Sequence, residues 1–259
     1  MSAIILAAGQ GTRMNSDLPK VMHTVCGRPM VHFSVQAALD AGCGEVVVVL
    51  GHGRNTIEQY LVTAFAGACV RTTVQEPPRG TGDAARVGLD AVRASASCVL
   101  VMNGDVALLG PDELRAVAAP LGAADGRPAL SIATCVVADP TGYGRVLRRE
   151  GSVFEIREHR DLRSPDERAV CEINAGIYAA NVAFLRPALA SLIPNNAQGE
   201  LYLTDIVAFA AKVREEMATV SLEESVLLGI NDREQLASVE RVMQARILRR
   251  WRLAGVTIR

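Results

Sequence analysis

The chain of 259 residues has no excess charge of either sign: 27 Lys and Arg stand against 28 Asp and Glu, a formal net charge of −1. That balance excludes a global positive field that would draw in nucleic acid or an acidic membrane surface, so any anion has to be held locally. No apolar run approaches the ~20 residues that span a bilayer, and the chain enters a strand-like segment without a basic leader, which reads as cytoplasmic. Cys26, Cys43, Cys69, Cys98, Cys135 and Cys171 are widely spaced, with no C-x-x-C. They read as buried thiols of a reducing compartment, not as zinc ligands or disulfides. His23, His32, His52 and His159 are equally scattered, form no metal-ligand spacing and are assigned no catalytic part. Internal repeats, low-complexity tracts and Gly/Ser linkers are also missing.

What is present is a large apolar fraction, 49% of the residues, enough for one sizeable domain or one domain with a small lobe. Short β-branched runs alternate with helical patterns. Ile4–Ala7, Val46–Leu50, Val70–Gln75 and Val99–Met102 read as buried strands, and Pro29–Ala41, Asn55–Phe65, Asp83–Arg93 and Pro111–Leu121 as helices. This order predicts an α/β fold with a mainly parallel sheet, helices on both faces, and ligands at the carboxyl ends of the strands. From Ala129 the rhythm changes. Leu130–Val137, Arg145–Arg149, Val153–Arg157 and Ile173–Ala179 read as strands, some of them antiparallel, that extend the sheet into a small lobe. Helices at Val182–Ser191 and Thr204–Glu216, a strand at Ala218–Ser221 and a long helix from Asp232 to about Leu253 complete the pattern.

The segment LAAGQGTRMNSDLPK (6–20) follows the first strand. Its glycines open backbone N–H groups to a phosphate, and Arg13 and Lys20 can approach from the side. It is neither known phosphate cradle: a dinucleotide fingerprint would need glycine where Met14 stands, and a P-loop would not put Pro19 before Lys20. Alone it is equally a plain surface loop. QEPPRGTGDA (75–84) leaves a strand and enters a helix N-terminus, a favourable place for polar or anionic ligand atoms. Gln75 offers an amide donor and acceptor side by side, which suits the imide edge of uracil or thymine. Asp105, just after the strand in VMNGDVALL, is either a turn former or a hard-cation ligand. Gly142 and Gly144 around Tyr143, with Glu158 and Asn174 near strand ends, suit a hydroxylated ligand or a solvated surface.

Taken in order, LAAGQGTRM, LPKVMHT, GTGDA, NGDV, DPTGYGRV, REHRD, INAGIY, NNAQGELYLTD and GINDREQL resemble the sugar nucleotidyltransferase family over nearly the whole chain. The branch they resemble is the uridylyltransferase domain of the bacterial N-acetylglucosamine-1-phosphate uridylyltransferases. The resemblance implies a Rossmann-like mixed, mainly parallel sheet with a small sugar-binding β lobe. It divides the chain into a nucleotidyltransferase domain at 1–230 and a C-terminal helical arm at 231–259. The family's left-handed β-helix acetyltransferase domain would lie outside these residues, and a monomer or weak dimer is then expected. The product would be UDP-N-acetylglucosamine, a peptidoglycan precursor for cell wall biogenesis.

By the same resemblance Leu6, Ala7, Ala8 and Gly9 line the nucleotide with Gln75, Gly80 and Thr81, while Arg13 and Lys20 hold phosphates. Asp105 and Asn231 bind Mg²⁺, and Asn103, Gly144, Glu158, Asn174 and Thr204 contact the amino sugar. The chain departs from the family pattern at Gln10, where relatives are often basic, at Ala107, where proline is usual, and at Asn103, where Tyr or Ser is more familiar.

The implied substrates are UTP and N-acetylglucosamine-1-phosphate. A sugar phosphate with a second pKa of ~6 is already an anionic nucleophile at neutral pH. It needs no general base. Its difficulty is charge repulsion, ~4 kcal/mol per unit pair at ~4 Å and an effective dielectric of ~20. Cations at the site would offset this during direct in-line displacement at the α-phosphate. Two other readings stay open: a nucleotidyltransferase for glucose-1-phosphate or dTTP, and a non-catalytic nucleotide-sugar sensor.

Overall fold

A computed structural model describes residues 1–9, 11–122 and 128–258. The chain opens with β1 (Ser2–Ala7), a two-residue hairpin of β2 (Thr24–Val25) and β3 (Arg28–Pro29), then α1 (Met30–Asp40), β4 (Glu45–Leu50), α2 (Arg54–Ala64) and β5 (Val70–Val74). It continues through α3 (Thr81–Ala91), β6 (Cys98–Asn103), α4 (Pro111–Ala118), β7 (Leu130–Val136), β8 (Arg145–Arg149), β9 (Ser152–Arg157) and α5 (Pro165–Ala169). The last elements are β10 (Glu172–Asn181), α6 (Val182–Ala190), α7 (Asp205–Val213), β11 (Met217–Ser221) and α8 (Arg233–Leu253).

The main sheet runs β11-β7-β10-β6-β1-β4-β5, with β8 and β9 branching from β10. β1 lies between β4 and β6 and is parallel to both, whereas β10 runs antiparallel to its neighbours β6 and β7. β4, the sequence EVVVVL, is buried at all of its positions, as a strand covered on both faces must be. Side chains of β1 alternate across the sheet. Ala3, Ile5 and Ala7 join a core with α1, α2 and α4, while Ile4 joins one with α3, α6 and α7. A smaller cluster of Val25, Met30, Ala107, Leu108, Ile230 and Val239 seats α8 on the hairpin and on the loop after β6. Among the described residues no helix is long and apolar enough to cross a membrane.

Two elements were not expected from the sequence. The hairpin turns on Cys26 (φ +47°) and Gly27 (φ +81°), a pair of left-handed residues of the kind that tight two-residue turns require. Cys26 at the first of these positions gives no such signal, because Asn, Asp or Gly is the usual choice. The α5 helix has a readable start, Ser164 accepting from the Glu167 N–H with proline following, but spans only five residues. The thiols also need correction. Cys43 and Cys135 are buried, but Cys26, Cys69 and Cys98 are half-buried and Cys171 is exposed; all six are free.

The α3 helix approaches the sheet closely at Gly88, where a Cβ would come 2.4 Å from Ile4 Cγ2 and 2.9 Å from Val49 Cγ2. Gly88→Ala gains helix propensity but overpacks this contact, a change that costs about 1–3 kcal/mol. The expected result is a melting temperature several degrees lower in a thermal scan, with no change in ligand affinity once the protein is folded.

Candidate active site

The carboxyl ends of β1 and β6 bring the first site segments together. Leu6 pairs with Asn103 across the parallel ladder, and the Gly104 N–H donates to the Leu6 carbonyl at 2.9 Å. The loop after β1 therefore lies beside the Asn103–Asp105 turn. That loop folds back through short 3-10 turns at Thr12–Met14 and Lys20–Met22. Gly11 adopts φ +64°, and a Cβ there would lie 2.4 Å from the Lys20 Cβ. Glycine alone lets the aliphatic stem of Lys20 rest on the loop at this backbone conformation.

From that position the Lys20 ammonium donates to Asp105 Oδ2 at 2.5 Å and to Asn231 Oδ1 at 2.9 Å. Arg13 donates to the same Asn231 oxygen at 2.9 Å. The Lys20 and Asp105 side chains are only 14% and 17% exposed. Asn231 is placed by the start of α8: Asp232 accepts from the Gln235 N–H at 2.8 Å, and Gln235 Oε1 accepts from the Asn231 N–H at 2.7 Å. Asp105, in the turn after β6, is thus the ion partner of Lys20. Lys20 and Arg13, expected on phosphates, rest on the two residues expected to bind the metal. Gln10 lies outside the described residues.

Those oxygens already bracket a cation. Among the described residues no group of three or more His, Cys, Asp or Glu could hold a metal ion. One carboxylate and one amide oxygen nevertheless suit Mg²⁺, which binds one or two protein oxygens and completes its shell from phosphates and water.

Two cavities meet here. The larger, about 510 Å³, is lined by Leu6, Ala7, Ala8, Gly9, Gln75, Gly80 and Thr81, together with Lys20, Asn103, Asp105 and Glu200. Gln75 is buried and its Nε2 donates to the Gly80 carbonyl at 3.0 Å and to Asp83 Oδ2 at 2.9 Å. The expected side-by-side donor and acceptor is therefore reduced to an acceptor, Oε1, since both amide hydrogens are taken. Asp83 settles this orientation, because the reversed amide would set an oxygen against a carboxylate. Burial alone would raise the Asp83 carboxyl, but hydrogen bonds from Arg86 and Gln75 hold it below the ordinary range. The Thr81 hydroxyl accepts from the Leu203 N–H at 3.0 Å and so docks the 196–204 loop onto the start of α3, with its own proton still able to donate.

The smaller cavity, about 240 Å³, is lined by Asn103, Gly144, Glu158, Asn174 and Thr204 together with Asp105 and Asn231. Leu6, Thr81, Asn103 and Asp105 belong to both cavities. Asn174 sits where β10 slips in register against β7, between Asn174 and Tyr178. Its Oδ1 accepts from the Gly176 N–H at 3.0 Å, leaving its amide N–H groups to donate, and its own N–H ties to the Gly144 carbonyl at 2.9 Å. A Cβ on Gly144 would lie 3.3 Å from both Glu158 carboxyl oxygens, so that carboxyl group rests against the DPTGYG turn. Burial pushes Glu158 up, repulsion from Asp161 and Asp205 adds to the rise, and the Thr204 hydroxyl opposes it. The sequence reading missed Glu200 and Tyr178, which line the larger and smaller cavities respectively. Tyr178 was legible in principle, because residues four apart on a strand share a face and Asn174 was already singled out.

The family model for the MobA-like NTP transferase domain matches residues 3–164, the stretch that carries β1, the Gln75–Thr81 loop, Asp105 and Glu158. The chain belongs to this family. It is 50% identical over 262 residues to the "Bifunctional protein GlmU" of Sorangium cellulosum, covering 100% of this chain and 55% of that protein. The protein of the same name from Geobacter metallireducens is 43% identical over 261 residues, covering 100% and 53%. The chain thus spans about half the length of the curated relatives it matches. The crystal structure of a UDP-glucose pyrophosphorylase complexed with UDP-glucose superposes with a TM-score of 0.75 at 18% identity, covering 95% of this chain and 98% of that one. At that identity the likeness establishes the fold, the nucleotide-diphospho-sugar transferase fold expected of the family.

Asp205, the first residue of α7, carries a pH dependence of its own. Burial, with repulsion from Glu155 and Asp161, raises its carboxyl from the ordinary 3.8 to about 6, overcoming the preference of a helix start for negative charge. The folded state therefore holds this proton more tightly than the unfolded chain. Stability contributed by the group is present below the ordinary value and is lost as pH rises through about 6. Asp205→Asn should leave the urea midpoint at pH 4 unchanged and raise it at pH 8.

Proposed function

We propose that this chain transfers UMP from UTP to N-acetylglucosamine-1-phosphate, giving UDP-N-acetylglucosamine and pyrophosphate. The observation that carries the reading is the junction of the two cavities at Asp105 and Asn103, with Lys20, Arg13 and Asn231 converging on that point. A triphosphate in the larger cavity and a sugar phosphate in the smaller one would bring their reacting phosphorus and oxygen together there. Membership of an NTP transferase family and the "GlmU" relatives support the same assignment.

The larger cavity would take the base and ribose, with Gln75 Oε1 accepting from the imide N–H of uracil. The open N–H groups of the loop after β1 would receive the phosphates. Asp105 and Asn231 would hold Mg²⁺, which supplies positive charge to the phosphate oxygens of the substrate and the leaving pyrophosphate. Lys20 and Arg13, already at that point, are free to turn from Asn231 to phosphate oxygens. Glu158 and Asn174 would present an acceptor and donors to the hydroxyls of the sugar. No side chain has to remove a proton, because the attacking phosphate is already ionised. The protein contributes alignment and preorganised charge in a partly dehydrated cleft.

A pyrophosphate-release panel of nucleoside triphosphates against sugar-1-phosphates tests the assignment, with UTP and N-acetylglucosamine-1-phosphate expected to turn over fastest. A tenfold preference for glucose-1-phosphate or dTTP, ~1.4 kcal/mol in the transition state, would move the chain to another branch of the family. Release from no pair at all would make it a sensor. Within the favoured pair, Asp105→Asn retains an oxygen for Lys20 but removes the charge that a cation needs. It should cut turnover at least ~100-fold, ~2.7 kcal/mol, with a melting temperature close to wild type. Lys20→Ala and Arg13→Ala should each lower kcat/KM by a similar order.

A further inference from the structure

Two buried hydroxyls lining the smaller cavity complete no hydrogen bond among the described residues. Tyr178 and Thr204 are 2% and 4% exposed, both line the cavity, and neither Tyr178 Oη nor Thr204 Oγ1 completes a hydrogen bond. Native proteins keep few such orphans, because a buried hydroxyl without a partner has lost its water for nothing. Two at one cavity floor point to partners that arrive with a ligand.

Their surroundings show how. The Tyr178 phenol is pushed up by burial and, next, by the charge of Glu158, against which the nearby Asn174 amide acts, while the Thr204 hydroxyl, turned toward the same carboxyl, favours its ionised form; neither approach completes a hydrogen bond. Both hydroxyls therefore stand within electrostatic reach of Glu158. That carboxyl group, buried and repelled by Asp161 and Asp205, keeps its charge in a dehydrated site only when enough donors surround it. A pyranose hydroxyl donating to it supplies one, and the Tyr178 and Thr204 hydroxyls, which line the same cavity, can supply two more.

We infer that Tyr178 is a specificity-determining positioning residue of the sugar subsite, whose phenol, together with the Thr204 hydroxyl, donates to Glu158 in the sugar-bound arrangement and completes no hydrogen bond in the free protein. This rests on the sugar-1-phosphate reading of the smaller cavity. Tyr178 acts through Glu158 and does not itself touch the reacting atoms.

Tyr178→Phe keeps the ring and removes only the hydroxyl. Because that group completes no hydrogen bond in the free protein, its loss should leave the melting temperature unchanged or higher. In the pyrophosphate-release assay the KM for N-acetylglucosamine-1-phosphate should rise about tenfold, ~1.4 kcal/mol, while the KM for UTP stays at the wild-type value. Thr204→Val should behave alike and Thr204→Ser should restore the wild-type KM. A lower melting temperature with an unchanged sugar KM would make the hydroxyl a structural partner and overturn the inference, as would an equal rise in both KM values. Calorimetry with UDP-N-acetylglucosamine reads the same variants without turnover: weaker binding by Tyr178→Phe supports the inference, and equal Kd values reject it. Absence of turnover in the wild type would count instead against the proposed reaction.

Discussion

The Lys20 ammonium bridges residues that lie far apart along the chain. A shielded ammonium is tolerated only where oxygens surround it, and here each oxygen depends on a different part of the architecture. Asp105 is in reach because β6 pairs with β1 and ends level with it. Asn231 is in reach because the capped start of α8 is seated on the hairpin and on the loop after β6. The Lys20 stem has its path because Gly11 leaves room for it. Sheet order, helix capping and loop conformation therefore meet in one ion pair, and the same point is where the two cavities join.

The sheet divides the labour around that pair. Its parallel part, β4, β1 and β6, supplies loops rich in backbone donors and small residues, which is what a close-fitting phosphate chain requires. Its antiparallel part, centred on β10, supplies side chains that project at a strand slip and are fixed by local hydrogen bonds. Asn174 illustrates the second mode, with its oxygen held by Gly176 and its nitrogen left to donate.

Much of this was legible in the sequence. The β4 run EVVVVL announces a strand buried on both faces, and the 3.6-residue spacing in 30–40 and 182–190 announces helices, so these elements lie within a residue or two of expectation. The glycine and carboxylate motifs also fall on the strand ends where an α/β sheet binds ligands. What could not be read is the partner of each polar atom. Lys20 looks like a phosphate ligand in a linear motif, and only the sheet order reveals that it rests on Asp105. Gln75 looks two-sided until α3 brings Asp83 beneath it. The hairpin at Cys26 and Gly27 hides because its turn chemistry is carried by an unusual residue.

Asp83 does not line the cavity beside it, yet it fixes the polarity that Gln75 offers there. By fixing the Gln75 amide through its nitrogen, it leaves Oε1 as an acceptor, and under the proposed reading its lone pair would meet a base in the larger cavity. A pyrimidine whose ring nitrogen carries hydrogen meets that lone pair as a donor. Cytosine presents a lone pair of its own at the same ring position and is repelled. Discrimination under the proposed reading would then be exclusion by like polarity, imposed by a carboxylate that does not itself touch the base. Arg86, which keeps Asp83 ionised, extends that control one step further from the base.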